Sequence, residues 1–395
     1  MDVRGLSAAW WGTVVLFLAH GLVVATWVSR IPAVKAALGL NDAVLGLALL
    51  GMAIGAVCTI PLAGWLIGRF GSKRVSTGAA ILFCCALVLP SLAFNALSLA
   101  AALLVFGATA AAMDVSMNAQ GVEVEKSHGT PTMSRFHGMF SLGGMVGAGI
   151  GGLVADWGIG PLPHFAASAV INLVAVLLAS RLLLDTQERR VPKAHRVPLN
   201  RIPRVLFALS AIGFCILLSE GAMADWTALY LKQILNAGAG TAAAGYAVFS
   251  AAMAIFRFLG DLITARLGPM RTVCSGSLIA AAGLLWALTV NSPDWALPGF
   301  AATGAGFSVI IPLVFGSGGR VESINPGAGI ATVTGIGYIG FIVGPPTIGF
   351  ASQLFTLRYA LGVVVACCLI TALLSRYMRA LKPVGAAEAV TEIHL

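Results

Sequence analysis

The chain has 395 residues, of which 58% are hydrophobic and only 10% charged. So little charge cannot cover a water-soluble surface of this size, which excludes a soluble globular protein. The net charge of +9 is scattered through the segments between apolar runs and does not gather on one face, so it reports membrane topology, not a nucleic-acid partner.

Apolar runs of about 18 residues or more recur along the chain, and about 20 residues of helix cross the hydrocarbon of a bilayer. In lipid such runs must be helical, because no water is present to satisfy the backbone. In chain order the sequence predicts spans at 11–29, 43–67, 75–94, 97–122, 134–156, 162–184, 204–228, 239–263, 272–290, 295–317, 327–354 and 357–377. The fold class is an all-α membrane protein with twelve transmembrane helices. Glycine and proline crowd the fifth and eleventh spans, so breaks are predicted there. The first span lacks a small-residue cleavage site and opens with Trp10 and Trp11, so it is predicted to stay as a spanning helix.

With the N-terminus inside, Arg69, Lys73, Arg74, Lys126, Arg135, Arg266, Arg271, Arg320 and the basic run 181–204 all fall on the inner side. Only Arg30, Lys35, Lys232 and Arg358 fall outside, so both termini are expected to be cytoplasmic. Residues 1–184 and 204–378 then form two six-helix halves, joined by a basic, proline-punctuated linker at 185–203. The tail at 379–395 has no packing pattern and is expected to be disordered. All seven cysteines lie in apolar runs without metal-ligand spacing, and read as small hydrophobes. No cofactor is expected.

The stretch 107–152 organises the rest. An apolar helix carrying Asp114 is followed by a short polar turn and a glycine-laden helix. The layout returns 197 residues later: Gly107, Gly138, Gly143, Gly147 and Gly152 fall on Gly304, Gly335, Gly340, Gly344 and Gly349. Ile311 stands where Asp114 stood. The segment GWLIGRFGSKR, with Gly64, Arg69, Gly71 and Arg74, likewise repeats as DLITARLGPMR, with Asp261, Arg266, Gly268 and Arg271. Two parallel repeats around a central cavity, with a membrane-embedded acid in only one copy of this stretch, is the pattern of a proton-coupled transporter.

The loop after the second span resembles the signature loop of the major facilitator superfamily, G-x-x-x-D-R-x-G-R-R/K. Gly64, Arg69, Gly71, Lys73 and Arg74 match it, and Gly68 replaces the aspartate. Within that superfamily the first half resembles the fucose:proton symporter group, through Asp114 followed by Asn118 and through Ile60-Pro61-Leu62-Ala63-Gly64. The resemblance implies a two-half transporter fold and a proton-coupling role for Asp114. It also implies gating roles for the loop residues Gly64, Arg69, Gly71 and Arg74 and their counterparts Asp261 and Arg266. Val28 occupies the place of that group's sugar-recognising aspartate, which leaves the substrate open.

Other polar residues are read one by one. Asp114, Asn118, Gly121 and Glu125 share one face of the fourth helix. An acid in lipid is costly and faces a cavity, or else makes an interhelical hydrogen bond. Glu220 in the seventh span lies near the level of His20 in the first and is the second candidate for the proton. Asp225 lies nearer the outer surface. His20, Trp27, His137, Ser141 and Tyr338 are candidates for the substrate pocket, with Trp27 offering a flat face for stacking. The competing readings are a cap-region histidine for His137, packing for Tyr338 and interface anchoring for Trp27. Arg30 reads as an anchor at the outer interface. Arg257 and Asp261, one turn apart, read as an ion pair or as gating machinery. Glu123 and Glu125 read as interfacial.

The expected activity is secondary active transport by alternating access: symport of protons with a sugar or similar small polar metabolite, by a monomer in the bacterial inner membrane. Proton antiport exporting a lipophilic compound is the alternative, and a non-transporting receptor a more distant one. No nucleophile–base constellation marks an enzyme.

Overall fold

The computed structural model describes residues 3–129, 132–185, 202–322 and 324–380. Most of the predicted linker and tail lies outside them. Local chemistry starts and stops the helices. Asn41 caps α2 by accepting a hydrogen bond from the Val44 amide at 2.9 Å. Asn95 and Ser98 form a reciprocal capping box at the start of α4. Gly129 ends α4 in the left-handed conformation, at φ 69°. Asn325 caps the helix that begins at Pro326.

The first six spans are α1 (Val3–Ala37), α2 (Asp42–Phe70), α3 (Ser72–Ala86, continued by a 3-10 turn at Leu89–Leu92), α4 (Ala96–His128), α5 (Met133–Asp156) and α6 (Pro161–Ser180). The second six are α7 (Arg204–Gln233), α8 (Ala239–Leu267), α9 (Pro269–Thr289), α10 (Pro293–Phe307) with α11 (Ile310–Gly318), α12 (Pro326–Leu354), and α13 (Leu357–Ala360) with α14 (Gly362–Leu374) and a 3-10 turn. Twelve helical spans among the described residues are long and apolar enough to cross a membrane.

The duplication is visible as contact geometry. A Cβ built on Gly107 would stand 2.0 Å from the carbonyl oxygen of Met52, so α2 and α4 touch backbone to backbone. Gly304 meets the carbonyl of Phe249 at 2.1 Å, and both partners of that contact lie 197 residues downstream of the first pair. Gly143 on Leu18 and Gly340 on Phe214 repeat the arrangement between α1 and α5 and between α7 and α12. Close packing of this kind substitutes for the hydrophobic effect, which lipid removes as a force between helices.

The halves meet along α5 against α8 and α2 against α12. At the end of the bundle away from the termini both seams are closed. Asp156 Oδ1 accepts the Gly240 amide at 2.7 Å across the first. Asp42 accepts the Ser352 hydroxyl across the second, and is also paired with Lys35. Trp27 and Trp226 are wholly buried there.

Three expectations are corrected. The fifth and eleventh spans, α5 and α12, run unbroken, because their glycines serve helix contact and Pro345-Pro346 is absorbed within the helix. The twelfth span is interrupted near its start at Leu361, and the tenth is the one interrupted near mid-helix beside the cavity, at Ser308-Val309. Pro312 is the cause: it has no amide hydrogen, and its ring displaces the carbonyl four residues earlier, which is that of Ser308. Arg30 is no interface anchor. It is 3% exposed and donates to the backbone carbonyl of Ile159, tying α1 to the α5–α6 turn.

Gly71 and Gly268, 197 residues apart in the two signature loops, have the same backbone, φ 79°, ψ 156° and φ 78°, ψ 157°. Only glycine occupies that region without strain, costing other residues about 1–3 kcal/mol. Gly71→Ala and Gly268→Ala are each expected to lower the thermal unfolding midpoint of detergent-purified protein by several degrees. Gly78→Ala, at a helical site with nothing within 4 Å of the new methyl, should not.

Candidate transport cavity

A cavity of about 800 Å³ lies between the two halves. Its lining runs from Trp27, Val28 and Asp225 near the closed end down to Met133 and Ser134 in the first turn of α5 and Asp261 and Thr264 near the end of α8. It therefore reaches toward the end of the bundle that carries the termini. Most of the wall is apolar, from Val24, Leu49, Met52, Phe249 and their neighbours.

Asp114 projects into this space from α4. The Asn118 side-chain nitrogen donates to the Asp114 backbone carbonyl at 2.8 Å and to its carboxylate Oδ1 at 3.1 Å. The spacing of four residues that suggested a polar face thus fixes the carboxylate from one helical turn below. His20 also lines the cavity, 7% exposed, with Nε2 at 3.2 Å from the Ala110 carbonyl and its ring between Phe83 and Phe140. It joins α1 to α4.

From the other half, α7 contributes Glu220 and Asp225. Glu220 Oε1 is enclosed and has no hydrogen-bond partner among the described residues. His20 and Glu220 face one cavity from opposite halves. Asp225 lines the cavity wall near its closed end. Trp27 is wholly buried with its ring edge toward Phe165, 6.4 Å between centroids. Tyr338 reaches the cavity from α12 and packs on Phe341.

Arg257 crosses the seam. Its Nη1 donates to Ser141 Oγ at 2.7 Å and to the His137 carbonyl at 3.4 Å, both on α5. Its Nε donates to the Ser308 carbonyl at 3.2 Å. This is the carbonyl that Pro312 releases, so the helix break supplies the oxygen that holds the guanidinium. The pair with Asp261 is corrected: among the described residues Arg257 makes no ion pair, and Asp261 is exposed at the cavity mouth. His137 does not cap the helix, whose N-cap is Thr132. It sits in the second turn of α5, edge-on to Phe17 at 5.3 Å, lining the cavity.

The structure thus gathers Asp114, Asn118, His20, Trp27, His137, Ser141, Glu220, Tyr338, Arg257 and Asp261 around one space. It does not bring Gly64, Arg69, Gly71, Arg74 or Arg266 there. Those lie at the terminal end, where Arg69 stacks on Trp65 and Phe70 at 5.6 Å and Lys73 is 3.7 Å from Asp185. Glu125 caps α5 by accepting the Thr132 and Met133 amides. Sequence reasoning missed three groups. Gln120 is fully buried and clamps Ser72 and both backbone groups of Leu184. Tyr246 lines the cavity from α8. Asp42 and Asp156 close the seams. Gln120 carried a signal, being a polar side chain in an apolar helix; the two aspartates looked like ordinary helix-end residues.

Comparison with known proteins agrees with this architecture. The sequence profile described as Major Facilitator Superfamily matches residues 9–320. An uncharacterized MFS-type transporter of Yersinia pestis is 38% identical over 362 residues, covering 91% of this chain and 93% of its own. A bacterial homologue of the human lysosomal transporter Spinster, solved inward-facing and unoccupied, superposes with a TM-score of 0.75 at 13% identity, covering 98% of this chain and all 100% of its own. FucP in an outward conformation superposes with a TM-score of 0.61 at 16% identity, covering 93% and 98%.

Proposed function

We propose a mode of action for this chain, which belongs to the Major Facilitator Superfamily and is a transporter of that family: it moves a small polar solute together with protons, by alternating access across a bacterial inner membrane. The observation that carries the reading is the placement of Asp114, fixed by Asn118, in a cavity between two repeats that is sealed at one end only. The acid from the first repeat is the coupling group, with Glu220 from the second as its partner. Protonation changes the charge buried between the halves, and so changes the relative stability of the two cavity orientations. With both termini cytoplasmic, the arrangement described is inward-open, and the loop residues around Gly71 and Gly268 engage only when the inner end closes. The chain acts as a monomer, each copy holding a complete cavity.

The apolar share of the wall supports a second reading, antiport of a lipophilic compound against protons. Proteoliposomes containing an internal pH dye separate the two. Addition of a transported polar solute outside should acidify the lumen under symport. Lipophilic cations should instead drive protons out under antiport, and that result would remove the symport reading.

A further inference from the structure

Among the described residues, Arg257 is the only lysine or arginine that lines the cavity. Its hydrogen-bond partners orient it, and the nearest acid that acts on its charge, Glu220, stays beyond ion-pairing distance. Every acceptor it holds is an uncharged oxygen: the Ser141 hydroxyl, the His137 carbonyl and the Ser308 carbonyl. The remaining nitrogen, Nη2, makes no hydrogen bond among the described residues and is not one of the enclosed unpaired atoms. A guanidinium withdrawn from water with no carboxylate in contact is unfavourable, and a bound anion at hydrogen-bond distance would offset that cost. The cavity thus contains a fixed, positively charged, half-satisfied fork.

We propose that the transported solute supplies the contacting carboxylate that Arg257 lacks, and that the solute is a hydroxylated monocarboxylate. The planar guanidinium is shaped for a carboxylate, which it can engage through two parallel hydrogen bonds. One arginine balances one charge. Asp114, Glu220 and Asp225 line the same cavity, so a dianion such as a phosphate monoester meets repulsion that a monoanion meets less strongly. Hydroxyl groups on the solute match Asn118 and the carboxyl oxygens, which accept hydrogen bonds. The inference rests on the reading of this cavity as the transport site, and it gives that reading a reason for coupling. A proton taken up by one of the acids lowers the repulsion felt by the bound carboxylate, so proton and solute favour each other.

The test uses matched pairs on the purified full-length protein: gluconate against uncharged gluconamide, with lactate, glycerate, glucuronate, glucose and glucose 6-phosphate completing the panel. Binding is read by thermal stabilisation and titration calorimetry. At least one monocarboxylate should bind more tightly than its neutral partner by about 10- to 100-fold, the worth of a charge-assisted hydrogen-bonded pair. Arg257→Gln should erase that ratio, and Arg257→Lys should restore part of it. Ser141→Ala should keep the preference for charge, because it removes a positioning contact and not the cation. A purely structural arginine would weaken charged and neutral ligands alike and leave the ratio unmoved, which would overturn the proposal. So would preferential binding of glucose or glucose 6-phosphate, or no stabilisation by any monocarboxylate at about 20 mM. If a monocarboxylate binds through Arg257 but its transport moves no protons, the proposal stands and the symport reading falls.

Discussion

Asp114→Asn is expected to uncouple transport while leaving solute exchange intact. In proteoliposomes held at zero membrane potential under a gradient of two pH units, one coupled proton supports up to about 100-fold accumulation, because each unit is worth a factor of ten. The variant should fall to equal concentrations on both sides, a loss of up to about 100-fold, and should no longer acidify the lumen. Counterflow, in which labelled solute exchanges for unlabelled, should remain near the wild-type rate. The amide has the shape of the carboxylate and can still face the Asn118 nitrogen, so the helix contact at 3.1 Å has a substitute. What disappears is the exchangeable proton. Glu220→Gln in the same assay apportions the coupling. If Asp114→Asn keeps full accumulation and Glu220→Gln loses it, the proton belongs to the second half.

The second large effect is in packing. Gly107→Ala and Gly304→Ala place a methyl group about 2 Å from the carbonyl oxygens of Met52 and Phe249, well inside any real contact. These neighbours are backbone, so relief requires whole helices to separate. Each substitution is expected to cost about 3 kcal/mol or more, at the upper end of overpacking effects. The apparent unfolding midpoint in detergent should drop by at least about 5 °C, with part of the protein lost as aggregate on size-exclusion chromatography. Gly335→Ala is the control. It lies in the same glycine pattern, but nothing stands within 4 Å of its new methyl group. Its midpoint should be unchanged or slightly higher, since alanine is the better helix former. Equal loss at all three sites would show that helix flexibility, not contact distance, conserves the fold.

The glycine pattern shows how far sequence reading reaches. The offset of 197 residues identified equivalent positions, and the structure gives Gly107 and Gly304 equivalent backbone partners. Yet Gly138 and Gly335, equally well aligned, differ: the first meets the ring of Phe258, and the second meets nothing within 4 Å. A repeat in sequence preserves the fold of each half. It does not force the two halves into identical surroundings at the seam. Asp114 and Asn118 were legible for a related reason, since residues four apart on one helix are neighbours whatever else the chain does. The ion-pair alternative for Arg257 came from the same local logic, which offered Asp261 one turn away and could not see Ser141, 116 residues earlier.

The sequence by itself determined the membrane class, the twelve spans, the duplication and the short list of polar groups that lipid would not tolerate without a purpose. These follow from hydrophobicity and helical period, which are properties of neighbouring residues. The tertiary structure decided which polar groups share a cavity, which end of that cavity is sealed, and what holds Arg257. Those outcomes depend on how α5 meets α8 and α2 meets α12, and on the one carbonyl that Pro312 frees. Contacts between residues far apart in the chain are set by the shapes of whole helices packed together, and no local pattern records them.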